Sequence, residues 1–314
     1  MGAPSDGPVP AGGTPAGRAS RWERLLASDH LSGWIFTSPA MILIAVFGLL
    51  PIAWSIVLSF QQNDLLSGGT WIGFDNYTRL MQDPVFAHSV RLTVFYTLLF
   101  VPISIALALL CAVALNRKLR CIRLYRTAIF LPVVASTVAE AILFNWLLDK
   151  DFGIVNAILA KFGIPAQSFF QDPSQALYCI VGMTVWGWLG FSVIIYLAAL
   201  QGIPKELVEA AAIDGASRWR IFRRVELPLL GPTTLFLVVY LSINALQLFD
   251  EIYVTTKGGP LNATLVVVYY LYQEAFQFFE AGYATAIAYV LFIGILVLTV
   301  VQLLIGRRFV HYRS

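Results

Sequence analysis

Between two long apolar stretches the chain reads Gly202-Ile203-Pro204-Lys205-Glu206-Leu207-Val208-Glu209-Ala210-Ala211-Ala212-Ile213-Asp214-Gly215-Ala216. Pro204 suits the first turn of a short helix and Gly215 suits its stop. Leu207, Ala210, Ala211 and Asp214 fall at i, i+3, i+4 and i+7, a face whose small side chains let another protein's surface approach the backbone closely. Ser217 is placed to cap a second short helix. There Trp219, Phe222 and Val225 alternate with Arg218, Arg220, Arg223 and Arg224 until Pro228 and Pro232 break the pattern. The spacing predicts a helix, a turn and a basic amphipathic helix. An ordinary interfacial elbow with snorkelling arginines has the same composition, so composition alone leaves both readings open.

The stretches flanking this elbow are two of six that reach the roughly 20 apolar residues a helix needs to cross a bilayer: 33–60, 89–115, 124–148, 176–201, 229–254 and 282–305. The 314-residue chain is 58% hydrophobic and only 12% charged, about half the charge of a soluble domain, and its charges gather between the apolar runs. With both termini on the cytoplasmic side, the inner segments hold Arg18, Arg21, Arg24, Arg117, Lys118, Arg120, Arg123, Arg126, Lys205, Arg218, Arg220, Arg223, Arg224, Arg307, Arg308 and Arg313. Arg79, Arg91, Lys150, Lys161 and Lys257 are left outside. The bias of basic residues fixes that orientation.

Residues 1–20, rich in Gly, Pro, Ala and Ser, cannot bury enough apolar surface to offset their ordering entropy, and read as a disordered cytoplasmic tail. The first apolar run is longer than the roughly 7–15 residues of a cleavable signal's core and is expected to stay in the membrane. Cys111, Cys121 and Cys179 lack metal-ligand spacing and read as packing residues. A formal net charge of +3, scattered beside apolar runs, argues against nucleic acid as a partner.

The string Glu209-Ala210-Ala211, then Asp214-Gly215-Ala216, Phe222, Pro228 and Pro232 resembles the EAA loop of binding-protein-dependent ABC importer permeases. The likeness extends to Gly73-Phe74-Asp75-Asn76-Tyr77, Phe130-Leu131-Pro132, Asp151-Phe152-Gly153-Ile154-Val155-Asn156, Phe249-Asp250-Glu251-Ile252-Tyr253 and Gly258-Gly259-Pro260. Together these resemble the carbohydrate-uptake branch, the sugar and glycerol-phosphate permeases of the MalF/UgpA type. The resemblance implies an all-α integral membrane protein, a type I ABC importer permease fold of six transmembrane helices in the bacterial inner membrane, spanning 21–314. Residues 202–232 would form the coupling loop that docks on a cytoplasmic ATPase, through Glu209, Ala210, Ala211, Asp214, Gly215, Ala216 and Phe222. Glu209 would be a salt-bridge or cap partner and Gly215 the tight turn. The implied partners are a second homologous permease, an ABC ATPase dimer that binds ATP and Mg, an extracytoplasmic solute-binding protein near Asp75 and Gly258, and membrane lipid. The implied solute is a sugar, oligosaccharide or glycerophosphate-type compound.

No phosphate cradle is expected in the chain itself, since no Gly-Lys dipeptide occurs anywhere and a GxxxxGK loop is thereby excluded. Leu66-Ser67-Gly68-Gly69 copies the start of an ABC ATPase signature but falls in an outer loop. His30, His88 and His311 all flank the spans, without a nucleophile arrangement or an HExxH motif, so no catalytic residue and no metal or cofactor of the chain's own is expected.

Polar side chains within spans are costly unless they face water or one another, and are candidates for a solute pathway. Tyr240, Asn244, Gln247 and Glu251 form one helical stripe, joined by Asp250. Thr184, Trp188, Ser192 and Tyr196 recur every four residues and drift about 40° per step, so they cannot all face one cavity. Glu140, with Asn145 beyond it, is the carboxylate well inside a span. It meets either a solute or, protonated, a neighbouring helix. Interhelical polar packing is the plainer reading of the stripes. An ion-gradient-driven secondary transporter would also use an intramembrane carboxylate such as Glu140, though no two-halved repeat is visible.

Overall fold

A computed structural model describes Gly2 and residues 29–64, 68–117 and 120–309. Apart from Gly2, the expected tail at 1–20 lies outside the described residues, as do Arg21, Arg24, Leu66, Ser67, Lys118, His311 and Arg313. By its contacts the chain divides at Ser55–Ile56 into two units.

The first unit is helical. α1 (Asp29–Ile44) runs through a π-turn at Ala45–Leu49 into α2 (Leu50–Ser59), whose last residues belong to the second unit.

In the second unit, β1 (Gln61–Asp64) pairs antiparallel with β2 (Gly68–Trp71), a small hairpin that the all-α expectation omits. There follow α3 (Asp75–Gln82), α4 (Pro84–Leu115), α5 (Ile122–Val134), α6 (Thr137–Leu147), α7 (Ile154–Lys161) and α8 (Ala176–Gln201). After these come α9 (Lys205–Ile213), α10 (Arg218–Ile221), α11 (Leu227–Leu229), α12 (Gly231–Leu246), α13 (Asp250–Val254), α14 (Val267–Tyr272) and α15 (Ala281–Phe309).

Five described helical segments are long and apolar enough to cross a membrane: 36–59, 84–115, 176–201, 231–254 and 281–307. The expected span at 124–148 is not a straight helix. It is the pair α5 and α6, bent by 107°, and the count reaches six when this pair is one span. The cause is local. Pro132 has no N–H to donate and crowds the preceding turn, and Ala135 (φ −75°, ψ 147°) and Ser136 (φ −74°, ψ 140°) are extended before α6 restarts. The fifth span is also interrupted: Gln247 (φ −103°, ψ 15°) and Phe249 (φ −142°, ψ −60°) leave helical geometry between α12 and α13. The stripe Tyr240, Asn244, Gln247 and Glu251 therefore does not lie on one helix.

α4, α8 and α12 form the centre. One buried cluster joins Tyr96, Phe100 and Val101 to Ile180, Leu241, Ile252 and Tyr269. A second joins Ala108 and Ala112 to Val193, Tyr196 and Leu237. Where lipid is as apolar as leucine, such a bundle depends on close packing and interhelical hydrogen bonds. Tyr96 Oη donates to Thr184 Oγ1 at 2.9 Å, and Tyr196 Oη donates to Thr234 Oγ1 at 3.0 Å.

Outside the spans, Asp83 ties three elements together. It caps α4 by accepting from the N–H groups of Val85 (2.8 Å) and Phe86 (3.2 Å), and its other oxygen accepts from Tyr270 and Tyr283, each at 2.6 Å. Burial pulls its pKa up, but the tyrosine and backbone donors outweigh it and hold the carboxyl below the usual range. A lowered folded pKa stabilises above the unfolded value of about 3.9 and is lost as pH falls through the lower folded value. Asp83→Asn is expected to cost about 1–3 kcal/mol at neutral pH. In thermal melts of detergent-solubilised protein, its deficit against the wild type should close as the medium becomes strongly acidic.

Candidate translocation site

The bend between α5 and α6 and the break between α12 and α13 open on the same space. A cavity of about 250 Å³ is lined by Pro132, Val133, Ala135, Thr137, Glu140, Thr184, Gly187, Trp188, Phe191 and Glu251. An adjoining one of about 230 Å³ shares Thr137, Trp188 and Glu251 with it and adds Tyr96, Phe100, Asn244, Gln247, Phe249 and Asp250. A third, of about 630 Å³, lies between the end of α6 and the loop after α13, with Asn145, Trp146, Asp149, Phe152, Gln171, Thr255 and Thr256 on its walls. Aromatic faces beside neutral amides and hydroxyls suit a polyhydroxylated solute.

Most of the residues expected on the pathway meet here. Glu140 and Trp188 line the first cavity, Asn244, Gln247 and Asp250 the second, and Asn145 the third. Tyr240 stands behind the wall, its ring stacked on Phe191 at 5.1 Å and edge-on to Trp188 at 5.8 Å. Ser192 is a correction. It is fully buried, its hydroxyl has no hydrogen-bond partner among the described residues, and it lines none of these cavities. Four residues advance a helix 40° past a full turn, which carries it off the wall that Thr184 and Trp188 share.

Sequence reasoning missed Gly187. A Cβ built there would lie 2.4 Å from Glu140 Oε2, and one at Gly190 would lie 2.5 Å from the Ile129 carbonyl oxygen. These two glycines let α5 and α6 close onto α8. Small residues in an apolar helix are the sequence signal for such an approach. Thr137 was missed because it starts α6 only once the bend is known.

At the far end of α8, α9 forms as the spacing predicts and closes with a Schellman motif. Gly215 at φ +75° donates its N–H to Ala212 O (3.1 Å), and Ala216 donates to Ala211 O (3.0 Å). Pro204 sits at the N-cap, one residue before the first turn. Glu209, Ala210, Asp214 and Gly215 are exposed, Ala211, Ala216 and Phe222 half-buried, and Ile213 and Trp219 are 87% and 68% exposed. One expectation fails. Ser217 occupies the N-cap of α10 but its hydroxyl makes no capping bond; its carbonyl accepts the first helical bond, from the Ile221 N–H. Glu209 makes no ion pair among the described residues.

The sequence pattern of the family described as binding-protein-dependent transport system inner membrane component matches residues 85–311, from the start of α4 to past the described end of α15. This chain belongs to that family. The match takes in the three cavities and the elbow of this inner membrane component, and leaves α1, α2, the hairpin and α3 outside. Similar proteins include the lactose transport system permease protein LacF of Rhizobium radiobacter, 41% identical over 285 residues, covering 88% of this chain and 94% of that one. The probable ABC transporter permease protein YesP of Bacillus subtilis is 36% identical over 301 residues, covering 94% and 97%. Among solved structures, a bacterial alginate ABC transporter in complex with an alginate pentasaccharide-bound periplasmic protein contains a chain 25% identical. The likeness covers 94% of this chain and 100% of that one, with a TM-score of 0.82.

Proposed function

We propose that this inner membrane component is the translocating permease subunit of an ATP-driven importer for a sugar, oligosaccharide or glycerophosphate-type solute. It works with a second homologous permease, an ABC ATPase dimer and an extracytoplasmic binding protein. The carrying observation is the exposed, pre-closed elbow at the end of α8. Its small Ala210 and its apolar knobs Ile213 and Trp219 are exposed among the described residues, and a preformed elbow spares the ordering cost of docking.

ATP and Mg bind to the partner ATPase, and this chain hydrolyses nothing. With both termini cytoplasmic, closure of the ATPase dimer pushes on Glu209, Ala210, Ala211, Asp214, Gly215, Ala216 and Phe222. The push tilts α8 and α12, whose walls hold Trp188 and Asn244. The solute leaves its binding protein, crosses the space between α6, α8 and α13, and is released inward. LacF, by its name, carries lactose, which fits the aromatic and amide lining.

Tagged protein purified from its native membrane should bring down an ATPase whose turnover rises when the loaded binding protein is added. The broken helices and Glu140 are also what an ion-driven carrier uses. Transport by this chain alone in liposomes, driven by an ion gradient, would establish that reading and end the importer proposal.

A further inference from the structure

Glu140 is 9% exposed, yet no side chain or backbone group among the described residues donates a hydrogen bond to it. Its place is reserved on the opposite helix, because any side chain at Gly187 would occupy the position of its Oε2. Glu251 reaches the same cavity from the other side, carried in by the break before α13. No Lys, Arg or His lines this cavity or its neighbour. The Glu140 carboxylate opens on the cavity, where its donors have to come from solvent or solute. Each of the two adjoining cavities is below the range of about 300–1,000 Å³ usual for small-ligand sites, and only together do they reach it.

We infer that Glu140 and Glu251 form a charge-selective subsite of the pathway, which takes an uncharged saccharide by accepting hydrogen bonds from its hydroxyls and rejects phosphate- or carboxylate-bearing solutes. The inference rests on the permease reading and narrows it: of the solute classes open to the chain, the glycerophosphate type is excluded. A sugar offers hydroxyl donors to both carboxylates while one ring face lies on Trp188 and its other hydroxyls meet Asn244 and Gln247. An anion would bring negative charge beside two acids, into a space of low dielectric without a cation to receive it.

The test uses the whole importer, this chain with its copurifying subunits, in lipid nanodiscs without the binding protein. Tryptophan emission is titrated with lactose, sn-glycerol 3-phosphate and glucosamine, and Trp188→Phe identifies the Trp188 signal. Lactose should quench that signal, and glycerol phosphate should leave it unchanged at the same concentrations. Glu140→Gln with Glu251→Gln should weaken lactose about tenfold or more, and Glu251→Arg should admit glycerol phosphate. Copurification of the ATPase and a monodisperse elution profile control for folding. Binding of glycerol phosphate as tightly as lactose, tighter binding of glucosamine than of lactose, no response to lactose, or unchanged affinity in the double variant would each overturn the inference. Failure of the permease reading shows separately, as the absence of any copurified ATPase.

Discussion

Gly215→Val is expected to uncouple the importer, lowering solute uptake and stimulated ATP hydrolysis together while the unstimulated hydrolysis of the ATPase partner persists. Gly215 holds φ +75°, and a Cβ there meets no neighbouring atom within 4 Å, so the cost arises in the backbone and not from a clash. Placing an L-residue in that region costs about 1–2 kcal/mol, most for a β-branched one. That energy lowers the closed-to-open equilibrium constant of the elbow about 5- to 30-fold, and the apparent affinity for the ATPase falls by up to the same factor. Gly215→Asn separates this mechanism from a simple need for small size, because Asn tolerates the left-handed region. Asn at 215 should retain most of the uptake. Equal losses in the Val and Asn variants would show that the turn's geometry is not what Gly215 supplies.

The elbow was the most legible part of this chain because its signals are local. Pro204, the small-residue face and Gly215 act within one turn of themselves, so spacing alone predicts the helix and its stop. The spans were legible for a different reason, since apolar length is set by the bilayer and not by the fold. What the sequence concealed was where those spans break. Pro132 is visible, but prolines are tolerated within membrane helices when neighbours satisfy the freed carbonyls; Pro39 and Pro102 lie inside described helices. Whether Pro132 ends α5 depends on what packs against it.

The site was half legible for the same reason. Glu140, Asn145, Trp188, Asn244, Gln247 and Asp250 stand out as polar or aromatic residues in apolar surroundings, and each lines a cavity. A periodicity argument assumes one continuous helix, however. It placed Glu251 on a stripe that the break at Gln247 dissolves, and kept Ser192 on a wall that the helix turns away. Gly187 has no chemistry of its own and matters only because Glu140 lies opposite.

The same reasoning sets the expected result for Gly190→Leu. A Cβ at this position would lie 2.5 Å from the Ile129 carbonyl oxygen, 2.5 Å from Val133 Cγ2 and 3.3 Å from Phe130 Cα. Two of these three are backbone atoms of α5, so no rotamer change relieves the contact and α5 itself has to move off α8. Overpacking of this kind costs about 1–3 kcal/mol, and more where the backbone must shift. The displacement is carried through the bend at Ala135–Ser136 into α6, and so withdraws Glu140 from Gly187. Gly190→Leu should therefore melt earlier than the wild type in detergent and also lose the lactose response at Trp188. Gly182→Ala is the control on the same helix, since nothing lies within 4 Å of a Cβ there. Adding a methyl to a helix interior in open space stabilises by roughly 0.5–1 kcal/mol, so this variant should melt at or slightly above the wild-type temperature. If Gly190→Leu matched Gly182→Ala in both readouts, α5 would not rest against α8 at this point, and the packing that holds Glu140 in the cavity would have to come from elsewhere.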